Sequence, residues 1–202
     1  MDFAETAWDI FSQSIEDYHI TDHVDSPSNN HFKNESLEHL LYAKNWIDTV
    51  QWHLEDIIRD ESIKPAEALE IKRRIDASNQ KRTDLVEFID SWFLSKYKDI
   101  TPDSEAKINT ETPAWAVDRL SILALKIYHM SLEANRTTAT EDHRINCTAK
   151  LNVLLEQKVD LMTSINQLLS DIENGKVRMK VYKQMKMYND ESLNPVLYQK
   201  AK

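Results

Sequence analysis

Two stretches of this chain put ionisable and amide side chains where a helix normally carries Leu or Ile. The first reads Trp52-His53-Leu54-Glu55-Asp56-Ile57-Ile58-Arg59-Asp60. The second runs from Lys72 through Arg73, Arg74, Asp76, Asn79, Gln80, Arg82 and Asp84 to Glu87 and Asp90. Burying a charge is costly unless it is paired or held for a task. Mixed carboxylate, amide and guanidinium groups suit a small polar ligand. Guanidinium groups also match phosphate oxygens in shape and charge, so a phosphorylated ligand falls within that class.

Spacing decides which of these groups can meet. In the helix that carries the first stretch, Leu40, Ile47, Leu54 and Ile58 form one apolar line. Leu41, Asn45, Asp48, Trp52, Glu55 and Arg59 form a neighbouring line in steps of three and four, flanked by His53 and Asp56. In the next helix, Ile71, Ile75, Val86, Ile89 and Phe93 point to the core, which turns Ser78, Asn79 and Arg82 inward as well. A later helix adds Asp118, Arg119 and Ser121 at its first buried turns. The candidate ligand-binding set is therefore Asn45, His53, Glu55, Asp56, Arg59, Arg73, Asp76, Asn79, Gln80, Arg82, Asp118 and Arg119. The competing reading is a purely structural ion network, since Glu55 and Arg59 stand four apart and Asp118 and Arg119 can cap or bridge.

Known chemistries narrow the field. The chain has no His-Glu-x-x-His zinc motif, no phosphate-cradling glycine loop and no Gly-x-Ser-x-Gly. Cys147 lies on an apolar stripe and reads as a packed thiol. One catalytic pattern survives. Glu55, Asp56 and Asp60, with Glu87-x-x-Asp90 on the next helix, could gather carboxylates across an antiparallel pair. Mg²⁺ prefers such oxygen ligands. The arrangement is similar to that of all-α nucleotide pyrophosphohydrolases, although the first stretch lacks their Glu-x-x-Glu. An Mg²⁺-dependent hydrolase with Glu55, Asp56, Glu87 and Asp90 as metal ligands is thus one expectation, with Arg59, Arg73, Arg74 and Arg82 meeting phosphates.

The elements that must position these residues are helices. The chain has 202 residues, 41% of them hydrophobic, with a single Gly and five Pro, so a turn-rich sheet protein is improbable. We expect an all-α bundle of about five long helices over residues 1–175, with a basic extension, 176–202, packed on it. The helices run near Phe3–Tyr18, Ser36–Asp60, Pro65–Tyr97, Thr112–Asn135 and from Thr140 to the sole glycine, Gly175, a left-handed C′ position. The fourth is apolar on nearly every side and belongs at the centre. In the extension, Lys176, Arg178, Lys180, Lys183 and Lys186 alternate with apolar residues, and 176–181 could form a short strand. Its lysines and its Val196-Leu197-Tyr198 end point to packing against acidic helices or a second subunit, so a homo-oligomer is within reach.

A net charge of −9 argues against general nucleic-acid binding. No apolar run approaches a membrane span. The acidic start, Met1-Asp2-Phe3-Ala4-Glu5, does not resemble a secretory signal, and the lone cysteine suits a reducing compartment, so we expect a cytoplasmic protein.

Long segments also resemble a bacterial family, domain of unknown function 4254. They include Trp52 to Arg59, Lys72-Arg73-Arg74-Ile75-Asp76, Asn79-Gln80-Lys81-Arg82, Asn109-Thr110-Glu111-Thr112-Pro113, Asp118 to Leu123, Lys126-Ile127-Tyr128-His129-Met130 and Lys186-Met187-Tyr188-Asn189-Asp190. The resemblance runs from about Leu37 to Tyr198. Its signature positions coincide with Glu55, Asp56, Arg59, Arg73, Asp76, Asn79, Gln80, Arg82, Asp118 and Arg119. Ala114 stands where many relatives carry Gly. The resemblance names no reaction. It implies, as the alternative to an enzyme, an interaction or scaffold role accessory to envelope glycan assembly.

Overall fold

The computed structural model describes residues 2–185 and 192–199. Five long helices account for most of them: α1 (Phe3–Thr21), α2 (Leu37–Ile58), α3 (Pro65–Lys96), α4 (Pro113–Asn135) and α5 (Glu141–Glu173). A four-residue turn of helix, α6 (Pro195–Tyr198), follows near the end.

Each long helix starts where a side chain or a proline takes over an orphan backbone group. Asp2 and Glu5 form a capping box on α1. Ser36, Thr112 and Thr140 cap α2, α4 and α5, and Pro65 and Pro113 occupy first-turn positions. Asp90, on α3, reinforces the start of α4. It accepts from the Thr112 hydroxyl at 2.7 Å and from the Ala114 N–H at 3.3 Å. Ala114 is fully buried there, so the position requires a small residue.

As expected, α4 is central: it packs on α1, α2, α3 and α5. The main core gathers Phe11, Tyr18, Leu41, Val86, Phe93, Leu120, Leu125 and Ile165. A smaller cluster of Leu54, Ile71 and Ile75 seals the far end of the α2–α3 pair.

After α5 the chain reverses at Gly175, whose φ is +73°, a region that L side chains rarely adopt. A Cβ there would lie 3.1 Å from the Thr101 carbonyl oxygen. This close approach lets Lys107–Ile108 (β1) pair in parallel with Val177–Arg178 (β2). The basic extension thus begins docked: Val177 and Met179 pack against the core, and the Gln184 N–H donates to Glu87. Tyr182 and Met185 are exposed. Lys186 to Glu191 and Lys200 to Lys202 lie outside the described residues. Among the described residues, no helix is long and apolar enough to cross a membrane.

Candidate functional site

Where α2, α3 and α4 meet, four charged side chains close a ring. Lys44 is fully buried and pairs with Asp48 one turn along α2. Its Nζ also lies 2.8 Å from Asp118 Oδ1 on α4. Arg82, from α3, completes the ring through Nε to Asp48 Oδ1 at 3.1 Å and Nη2 to Asp118 Oδ2 at 2.5 Å. Two cations meet two anions, so the buried tetrad is neutral in sum. Polar neighbours finish it. The Ser121 hydroxyl donates to Asp48 at 2.6 Å, and Asn45 Nδ2 donates to Ser121 Oγ at 3.0 Å. Burial pushes the Asp48 carboxyl up, and Lys44 pulls it back.

Arg82 is the tetrad member that reaches water, with its side chain 28% exposed. It lines two clefts. One, of about 620 Å³, lies between α3, α4 and α5 and is bounded by Arg82, Asp118, Arg119, Lys126, Asp160 and Ser164. The other, of about 470 Å³, is bounded by Gln51, Trp52, Glu55, Asp56, Arg59 and Arg82. Ile122 also borders both.

Six of the residues expected from sequence therefore share this region: Glu55, Asp56, Arg59, Arg82, Asp118 and Arg119 line the clefts. Glu55 and Arg59 make the expected ion pair at 3.3 Å, and Arg119 reaches Glu111 at 2.8 Å. Asn45 is buried behind the tetrad rather than in a cleft. Asn79 accepts from Gln51, and Gln80 donates to its own helix neighbour Asp84. Asp76 pairs with Lys72 on the surface, and Arg73 is exposed; neither lines a described cleft. His53 belongs to a different cluster, against Tyr18, His19 and His129.

The expected magnesium ligands do not assemble. Asp48 meets Arg82 and Gln51 meets Asn79 across the antiparallel pair. That register sets Glu87 and Asp90 against the first half of α2. Glu55 and Asp56 stand at its other end, and the rise of 1.5 Å per residue separates the two groups by roughly 20 Å. Asp90 is moreover committed to the start of α4. Four carboxylates so divided cannot share one Mg²⁺.

A family model described as "Protein of unknown function (DUF4254)" matches residues 38–181. The chain belongs to that family. The DUF4254 match contains the whole tetrad and both clefts, but not α1. The chain matches no curated protein and no solved structure.

Two parts of the arrangement escaped sequence reasoning. Asp48 lay on the polar line of α2, but Lys44 was not singled out. His19 and His129 were missed as partners of His53. The spacing Glu16-Asp17-Tyr18-His19, a Glu-x-x-His tetrapeptide, is the one sequence signal that points at His19.

Proposed function

We propose that this DUF4254 protein binds a small phosphorylated polar ligand across the two clefts that flank Arg82. The observation that carries the reading is the state of Arg82. Two buried carboxylates fix its guanidinium, yet part of the side chain faces solvent between the clefts. A guanidinium held in this way meets an anion without first losing rotamer freedom. Arg119 and Lys126 supply further positive charge in the larger cleft. Glu55 and Asp56, beside Trp52, suit the hydroxyl or amino groups of the ligand's other end. Sugar phosphates and nucleotides have this division into an anionic and a hydroxylated part. The reading is one of binding. It assigns no hydrolytic step, because the carboxylates expected to hold Mg²⁺, Glu55 and Asp56 on α2 and Glu87 and Asp90 on α3, lie toward opposite ends of the α2–α3 pair.

A melting-temperature panel of sugar phosphates and nucleotides, each beside its unphosphorylated parent, tests it. A ligand bound only by the folded state raises the melting temperature with concentration. At least one phosphorylated compound should do so, and its parent should not. Arg119→Ala and Lys126→Ala, which leave the tetrad intact, should weaken the shift. A flat panel would refute this reading and favour an interaction or scaffold role.

A further inference from the structure

We propose that His19, His53 and His129 form a transition-metal site of the kind that takes Zn²⁺, with the Asp22 carboxylate as fourth ligand. The three imidazoles come from α1, α2 and α4. Their ring centres stand 5.3 Å (His19–His53), 5.5 Å (His19–His129) and 5.4 Å (His53–His129) apart, a nearly equilateral triangle. The rings are inclined to one another by 64°, 66° and 69°, close to a threefold arrangement. With tetrahedral angles and metal–nitrogen bonds of about 2.0–2.1 Å, imidazole centres fall roughly 5 Å apart. One ligand atom from each histidine lies within 4.8 Å of the other two. The Nε2 atoms of all three are buried without a hydrogen-bond partner. Buried polar atoms normally find partners, and three orphan nitrogens on three clustered rings call for a shared one.

The surroundings select the same chemistry. His19 Nδ1–H donates to the Ile15 carbonyl at 2.7 Å. A carbonyl can only accept, so the proton of this bond sits on Nδ1, and in the neutral ring Nε2 is the nitrogen free to bind a metal. A backbone carbonyl on the far nitrogen is also the usual outer partner of a metal-bound histidine. Tyr18 stacks on His53 at 5.0 Å and Trp52 on His129 at 4.8 Å, which restrains both rings. Asp22 Oδ1 lies 3.9 Å from Nε2 of both His19 and His53. Asp22 ends α1 in the left-handed region, with φ 50°, uncommon for a residue other than glycine. Its side chain is exposed, so this is the open side of the site. Burial and mutual repulsion hold His53 and His129 below the ordinary histidine range, His129 at about 4. Three imidazoles and a carboxylate suit Zn²⁺, Co²⁺, Ni²⁺ or Cu²⁺ and not the hard Mg²⁺. The site would tie α1 to α2 and α4, and it does not depend on the ligand reading above.

The test uses untagged full-length protein stripped of metal by chelation. Zn²⁺ is titrated by calorimetry and Co²⁺ by visible absorption. We expect one equivalent bound with a Kd in the micromolar range or tighter, and the intense visible bands of tetrahedral Co²⁺. Losing one outer partner of a metal site already weakens binding by about 10–100-fold, so His19→Ala and His129→Ala should each lose about 100-fold or more. Cys147→Ser and His143→Ala probe the separate surface contact of His143 with Glu133 and Cys147, and both should bind as the parent does. Far-UV circular dichroism checks that each variant is folded. Absence of Zn²⁺ binding at about 100 µM, a weak octahedral Co²⁺ spectrum in the parent, or unchanged binding in a folded His19/His129 double variant would each overturn the proposal. The parent titrations decide the matter even if a variant fails to fold.

Discussion

Lys44→Met should be among the most damaging single changes in this protein. The Lys44 side chain is fully buried and contacts both Asp48 and Asp118, themselves at most 5% exposed. Its removal leaves two buried carboxylates facing Arg82 alone, a net charge of −1 in place of zero. Breaking a buried pair on one side costs about 3–5 kcal/mol, because the remaining charge has no compensation. In a chain of 202 residues that corresponds to a drop of roughly 10 °C in melting temperature. The double variant Lys44→Met/Asp48→Asn restores neutrality and keeps the Arg82–Asp118 pair, so it should recover a large part of the loss. Urea unfolding of the parent, the single and the double variant measures this, with the denaturant slope checked for constancy. The charge argument fails if Lys44→Met costs less than about 1 kcal/mol, or if the double variant is no more stable than the single.

Two further outcomes follow from local geometry. Asp90→Ala removes the acceptor of the Thr112 hydroxyl and the Ala114 N–H at the buried start of α4; thermal unfolding should show a loss of about 2 kcal/mol. Gly175→Ala places a methyl 3.1 Å from the Thr101 carbonyl oxygen in a backbone conformation with φ +73°; unfolding should show a loss of about 1–2 kcal/mol, and hydrogen exchange should show reduced protection where β1 meets β2.

The helices were legible because their ends carry the chemistry that ends require. Ser36, Thr112 and Thr140 cap, Pro65 and Pro113 open, and Gly175 reverses the chain in the left-handed region. The central place of α4 followed from its all-round apolar surface. The clefts were partly legible, since Glu55, Asp56, Arg59, Arg82, Asp118 and Arg119 were all expected to face inward. Lys44 was not, and the reason is physical. Lys44–Asp48 and Lys72–Asp76 have the same spacing on amphipathic helices. The first pair is fully buried, whereas in the second the side chains are 54% and 48% exposed. What separates them is α4 crossing over the first pair, and that is a property of packing and not of spacing. The magnesium expectation failed for a related reason. Sequence suggested an antiparallel pair of carboxylate-bearing helices, but not the register that puts Glu55 and Asp90 at opposite ends of it.

The same distinction explains why the two polar clusters behave differently. The tetrad balances its own charge: two cations meet two anions in direct ion pairs, and the Ser121 hydroxyl adds a hydrogen bond to Asp48. It can stay buried with no guest, and the part of Arg82 that faces the clefts is what remains for a ligand. The histidine cluster does not satisfy itself. The Nε2 atoms of all three rings are buried and none has a hydrogen-bond partner, while Nδ1 of His19 is already committed to the Ile15 carbonyl. A protein interior rarely leaves three buried ring nitrogens together without partners. A metal ion is the single atom that would accept all three lone pairs, and the nearby carboxylate of Asp22 would offset half of its double charge.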